Sequence, residues 1–178
     1  MMKKISYVLL AFLLIGCSNK IDDSIEQETK VQTEIDVKMY TKLWNDFLAG
    51  DTDVINDKNF TKDCIVVTAN GNIVGIEATK KFYMNYLTAF SEIEFKIVDT
   101  FGQGNKLIKH YNFKGKHVGE FFGLPATGNY LNLSGTTVIT MRDGKIAKEH
   151  DFFDMQSLLN QLKKGKGDVN VDEYKSIN

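Results

Sequence analysis

The residues with chemistry to offer are three histidines and a run of carboxylates near the end of the chain. His110 and His117 lie in KLIKHYNFKGKH, while His150 stands between Glu149 and Asp151 in KEHDFFD, which ends at Asp154. Imidazoles and carboxylates are the side chains that move protons near neutral pH. A carboxylate enclosed by phenylalanines loses solvation, so its proton affinity rises and it becomes a better base. An imidazole close by then donates to the oxygen on which negative charge develops. Assistance of this kind contributes about a hundred- to ten-thousandfold and requires neither a metal nor a nucleotide cofactor. His110, His117, Glu149, His150, Asp151 and Asp154 show none of the recognised metal-ligand spacings, and His110 has the opposite strand parity from His117. No metal is expected.

Those residues need elements to hold them. Met39, Leu43 and Phe47, with Tyr40, Trp44 and Leu48 beside them, recur at helical spacing up to Gly50, a broad apolar stripe that belongs in a core. Asp51 to Asn59 reads as a short second helix or a loop, Cys64 to Val67 as a short strand bounded by Asn70-Gly71. Ile76 to Phe90 reads as an amphipathic helix carrying Phe82, Tyr83, Tyr86 and Leu87. After Phe90 the apolar period falls to two. One strand face holds Ile93, Phe95, Ile97 and Phe101, with Asp99 among them. The next holds Leu107, Tyr111, Phe113 and His117, and a third holds Leu131, Leu133, Ile139 and Met141. Asp143-Gly144 then turns the chain into the last strand, KIAKEHDFFD. The expected fold class is α+β, an antiparallel sheet curled over N-terminal helices.

Between two of the long strands lies GKHVGEFFGLPATGN, residues 115–129. Its glycines permit turns that other residues resist, so it forms a loop at the sheet's rim from which Phe121 and Phe122 fold down over the mouth. A phosphate cradle is excluded, because the run lacks a Lys-Ser/Thr ending and follows no βα unit.

The same run, from Gly115 through His117, Gly119, Gly123-Leu124-Pro125 and Thr127-Gly128, resembles the Gly-x-His-x-Gly-x-(x)-x-Gly-Leu-Pro-x-Thr-Gly signature of SnoaL-like polyketide cyclases, also called ester cyclases. Arg142-Asp143-Gly144-Lys145-Ile146, Glu149-His150-Asp151-Phe152-Phe153-Asp154 and Leu158-Leu159-Asn160-Gln161-Leu162 resemble that family's closing strand and C-terminal turn. One departure is His150, where many relatives have tryptophan. The similarity spans about Val37 to Leu162. It implies a cone of the nuclear-transport-factor-2-like superfamily, a curved sheet around a deep apolar pocket. It also implies cofactor-free chemistry, in which a buried aspartate removes the α-proton of a β-keto ester and the enolate closes a ring by aldol condensation. By motif position the base falls on Asp154, with His117, His150 and Asp151 as candidate catalytic partners. Asp99, Tyr111, Phe113, Phe121, Phe122 and Trp44 are the expected pocket residues.

Duller readings stand beside these. Strand parity sets His150, Phe152 and Asp154 on one face and Asp151 and Phe153 on the other. Asp154 is also a natural N-cap for the helical pattern that starts at Met155. His117 reads equally as a strand-end histidine bonded to its loop, Asp99 equally as a partner of Lys109, and His150 and Asp151 equally as surface residues.

The ends of the chain carry a different message. Met1-Met2-Lys3-Lys4 and the apolar run Ile5 to Ile15 form a secretory signal whose apolar region is too short to span a bilayer. Leu14-Ile15-Gly16-Cys17 at its end resembles the lipobox of bacterial lipoproteins. Cys17 would then carry the lipid, leaving Cys64 without a partner in the chain. Residues 1–17 are read as signal, 18–36 as a polar tether whose last part joins the first helix, 37–162 as the folded domain and 163–178 as a polar tail. The expected place is the bacterial cell envelope, with membrane attachment through the lipid. At 178 residues and a net charge of -1, the composition is that of an ordinary single domain with no basic stripe for nucleic acid. Two functions fit. One is a SnoaL-like acid-base enzyme acting on a small apolar carbonyl compound; the other is a non-catalytic binding or dimerisation module on the envelope, since fold does not fix function. A homodimer through the exposed sheet face is compatible with both.

Overall fold

The computed structural model describes residues 15–68 and 70–164. Residues 1–14 of the signal segment, the side chain of the lipobox Cys17 and the tail beyond Lys164 lie outside the described residues. In chain order the elements are α1 (Ile15–Leu48), a short 3-10 turn (Thr52–Val54), β1 (Phe60–Thr68), β2 (Gly71–Val74), α2 (Ile76–Ala89), β3 (Phe90–Gln103), β4 (Lys106–His117), β5 (Tyr130–Arg142), β6 (Lys145–Phe153) and α3 (Met155–Lys163).

The six strands form one sheet in the order β2-β1-β6-β5-β4-β3. β1 runs parallel to β6, and every other neighbouring pair is antiparallel. Helix α1 lays its stripe of Tyr40, Leu43, Trp44 and Phe47 on the concave face, where Phe60, Val66, Leu107, Ile139 and Met141 complete a first core. A second core lies toward the other end of the sheet, where Phe90, Phe113, Leu131 and Leu133 meet Phe121 of the rim loop and Leu158 and Leu162 of α3. The polar segment 18–36 is helical, an unbroken part of α1. Thr33 and Asp36 within it are buried, and the Thr33 hydroxyl donates to the Gly104 carbonyl at 3.0 Å.

Two breaks in strand alternation decide what faces inward. An extra residue in one strand of a pair reverses the parity of everything beyond it. In β3 the register shifts between Ile97 and Asp99. Ile93, Phe95 and Ile97 are half-buried, but beyond the shift Thr100 turns inward, and Asp99 and Phe101, expected on the inward face, are exposed. In β6 the register shifts at Ala147, between the pairs Met141–Ile146 and Thr140–Lys148. Strict alternation from Ile146 would have turned Lys148, His150 and Phe152 inward. The shift exposes Lys148 and Phe152 and buries Glu149.

Helix α3 starts where β6 ends because Asp154 caps it. The Asp154 carboxylate is exposed and accepts the Ser157 amide N–H at 2.9 Å, while Leu158 and Leu162 on the opposite face are buried. Replacing an N-cap aspartate by alanine costs about 1 kcal/mol. Asp154→Ala is therefore expected to lower the unfolding free energy by about 1 kcal/mol in urea denaturation, with the native fold retained by circular dichroism.

Candidate active site

At the centre of the concave face sits a buried carboxyl group. Glu149 is 1% exposed and lies between two phenols, accepting hydrogen bonds from Tyr40 of α1 at 2.6 Å and from Tyr83 of α2 at 3.2 Å. The Tyr83 hydroxyl also stands 3.3 Å from Asp151, whose other oxygen accepts from Thr137 of β5 at 2.5 Å. Burial is the main force on Glu149 and pushes its pKa up to about 7, with the charge of Asp151 adding to the rise and Lys109 and the phenols opposing it. Burial likewise holds Tyr40 and Tyr83 well above the usual phenol range, as do the neighbouring carboxylates.

Lys109 enters the same space from β4. Cross-strand register sets Lys109, Thr137 and Asp151 in one row across β4, β5 and β6. Its ammonium nitrogen lies 4.7 Å from the Trp44 ring centroid, 4.9 Å from Tyr111, 5.3 Å from Tyr40 and 5.7 Å from Phe95. Burial lowers its pKa, and the carboxylates of Asp151 and Glu149 pull the other way.

Lys109, Tyr83 and Asp151 border the inner of two adjoining cavities, with Glu149 and Tyr40 behind its wall. The inner one, about 50 Å³, is walled by Trp44, Phe47, Tyr83, Tyr86, Tyr111 and Phe113 and contains Lys109 and Asp151 in its lining. A void of that size holds a few water-sized groups. The outer one, about 430 Å³, is walled by Phe82, Phe121, Phe122, Phe153 and the α3 leucines 158, 159 and 162. Tyr86 and Asp151 line both and so mark the passage between them. The hydroxyls of Tyr86 and Tyr111 form no hydrogen bond to any described residue, and burial raises the pKa of each first and foremost. Tyr111 can lie across β5 only because residue 135 is glycine, where an added Cβ would stand 2.5 Å from the phenol oxygen.

The rim loop covers the outer cavity. Phe121 and Leu124 bond each other's backbone in both directions, enclosing a two-residue turn with φ of 47° at Phe122 and 85° at Gly123. A phenylalanine in the left-handed region is strained; Phe122, 55% exposed, stacks on Phe82 of α2 at 5.5 Å. His117 fastens the loop from below. It is fully buried, its Nδ1 accepts the Thr127 amide N–H at 3.3 Å, and its backbone pairs with Gly128 and Asn129. Burial lowers its pKa.

The expected site residues thus divide. Asp151, Trp44, Tyr111 and Phe113 line the inner cavity, while Phe121 and Phe122 line the outer one with Asp151. His117 lines neither and supports the loop. His150 lies against the exposed Phe152, ring centroids 4.0 Å apart and planes tilted by 39°, on the face that the Ala147 shift turns outward. Asp154 caps α3 in solvent, and Asp99 is exposed. Lys109, Glu149 and the phenols of Tyr40, Tyr83 and Tyr86 were not foreseen as site residues. Lys109 shares strand parity with Leu107 and Tyr111, a signal that could have found it.

A six-stranded, unclosed, curved sheet with helices over its concave face and an acid-lined apolar pocket defines a nuclear-transport-factor-2-like protein. Within that class the sequence model of the SnoaL-like polyketide cyclases matches residues 35–162, and the chain belongs to that family. Among solved structures, a Jannaschia sp. CCS1 protein described as a SnoaL-like polyketide cyclase aligns with a TM-score of 0.70 at 20% identity, over 75% of this chain and 94% of that one. AclR of Streptomyces galilaeus, described as a hydroxylase, gives 0.64 at 18% identity over 78% and 87%. An LEH-like epoxide hydrolase of M. tuberculosis gives 0.57 at 16% identity over 73% and 90%. Identities this low show a shared fold alone. No match was found among curated proteins.

The raised pKa of Glu149 has a consequence for stability. Between its ordinary value of 4.5 and about 7, the folded chain keeps a proton that the unfolded chain releases, so stability falls as pH rises through that window. At about 1.4 kcal/mol per pH unit the loss amounts to about 3 kcal/mol. Glu149→Gln is expected to flatten this dependence. Thermal unfolding at pH 4.5 should separate wild type and variant least, and at pH 8 the variant should be favoured most relative to its pH 4.5 difference.

Proposed function

We propose that the chain is a cofactor-independent acid-base enzyme of the SnoaL-like type, acting on a small, largely apolar carbonyl compound, with Asp151 as the base. The position of Asp151 carries this reading, because its carboxylate borders both cavities and meets a molecule that occupies both at its middle. Thr137 and Tyr83 each bond one of its oxygens, which orients the group and leaves acceptor capacity toward the cavity.

A substrate whose apolar part lies along Phe121, Phe153, Leu158 and Leu162 brings its α-carbon to Asp151 and its carbonyl into the inner cavity. There the unpaired hydroxyls of Tyr86 and Tyr111 supply donors for the oxygen that becomes an enolate. Burial keeps both phenols protonated, so they remain donors. Tyr83 bridges Asp151 and Glu149, a path by which the abstracted proton reaches a carboxyl group that is half-charged near pH 7. A pKa near the working pH suits a group that must both take and return a proton. Ring closure, isomerisation and dehydration all begin from the same enolate.

The relatives' differing descriptions, cyclase, hydroxylase and epoxide hydrolase, are the reason to rest this reading on the site and not on the fold. The signal and lipobox residues support an address on the cell envelope, with Cys17 as the lipid attachment point.

Solvent deuterium exchange into a panel of β-keto esters and related acidic carbonyl compounds, read by mass spectrometry, tests the chemistry. Asp151→Asn is expected to slow exchange by about a hundredfold or more, while Asp154→Asn stays near the wild-type rate. Binding without exchange for every compound, in wild type as in variants, would instead support a binding module. For the address, Cys17→Ser is expected to move the full chain out of the membrane fraction and abolish metabolic labelling with fatty acid; an unchanged distribution and labelling would remove the lipoprotein reading.

A further inference from the structure

Proton abstraction by Asp151 leaves Lys109 without a task, and ring faces are all that hold its nitrogen directly. Lysines are almost never fully buried unless paired, because an ammonium taken out of water needs compensation. Lys109 is 5% exposed, yet its nitrogen makes no hydrogen bond and no ion pair within 4.0 Å with any described residue. What surrounds it is a set of four aromatic rings and the inner cavity itself. A methionine would fill the same strand position without any desolvation cost. A desolvated amine that borders a largely apolar cavity and is held only by ring faces is the arrangement that makes lysine a nucleophile toward carbonyl carbon.

We infer that Lys109 captures aldehydes and ketones that enter the inner cavity, its side-chain nitrogen forming an imine with the carbonyl carbon. The amine lone pair makes the new C–N bond as the C=O π pair moves to oxygen, and proton transfer from nitrogen to that oxygen gives a neutral carbinolamine. The hydroxyl of Tyr83, which lines the cavity, gives a proton to the carbinolamine hydroxyl and takes one from Glu149 behind it, which holds its proton to about pH 7; the hydroxyl group leaves as water. The products are an iminium on Lys109, a Glu149 carboxylate and one water, with no change of oxidation state. Burial lowers the proton affinity of Lys109 against the pull of Asp151 and Glu149, which favours the free amine that the first step needs. The small volume of the inner cavity selects an unbranched carbonyl end, and the outer cavity takes an apolar tail.

Capture requires an amine, a carbonyl and room, so it stands apart from proton abstraction by Asp151. The experiment treats the full chain in detergent with limiting 2-octanone or hexanal and sodium borohydride, then locates the reduced adduct by peptide mass mapping. The first equivalent is expected on the peptide containing Lys109. Lys109→Met should lose that adduct and retain the slower modification of surface lysines. Asp151→Asn should keep it even while deuterium exchange is lost. An unmodified Lys109 peptide in a wild-type sample whose surface lysines react overturns the inference, and it does so whether or not the methionine variant folds.

Discussion

The single extra residue in β6 governs the interior. Without the shift at Ala147, the strand would bury Lys148, His150 and Phe152 and send Glu149 and Asp151 to solvent. With it, two carboxyl groups enter a face otherwise built from aromatic and aliphatic side chains. Buried charge of that kind is tolerated only when hydrogen-bonded. The partners come from three different elements: Tyr40 on α1, Tyr83 on α2 and Thr137 on β5. Both long helices are therefore held at one level along the sheet by the needs of one short stretch of strand. Apolar packing alone would leave the helices freer to slide, because methyl groups and rings are less exacting in direction than a phenol aimed at a carboxylate.

The same stretch sets the electrostatics of the cavity. Lys109, Asp151 and Glu149 share a space walled mainly by rings, where interactions between charges are screened less than at the surface. Burial acts on the two types of group in opposite senses, raising the acid and lowering the amine. Both shifts bring proton affinities toward neutrality. The rim adds exclusion of water. Phe122, kept in a strained turn and stacked on Phe82, stands over the outer cavity while His117 anchors the loop's base.

Much of this was legible in the residues. Period-two patterning located the strands, the Asp143-Gly144 turn and the Gly-Leu-Pro loop fixed their order, and the family resemblance supplied the curvature that patterning alone does not encode. What failed was parity across bulges. Asp99 followed three inward residues in strict alternation, yet the shift after Ile97 exposed it. Asp154 matched a motif position for the base, but as the first residue past β6 it serves the backbone of α3. His117 sat on the correct face, and its loop used it. A bulge leaves little trace in sequence, since Ala147 and Val98 are ordinary strand residues and the extra position is fixed by partners far away in the chain. Lys109 was hidden for a different reason: a lysine at an inward position reads as an exception to the pattern until its surroundings are known.

One feature of the cavity wall also makes the site observable. The chain contains a single tryptophan, and Trp44 is both part of the inner cavity and the ring nearest the Lys109 nitrogen. Its indole is in edge contact with Tyr83 at 4.5 Å and lies within reach of Tyr40 and Phe47. Tryptophan emission from this protein is accordingly a signal from one place, sensitive to the charge of one amine and to whatever displaces solvent beside it. The molecule carries its own optical gauge of occupancy, without any label added.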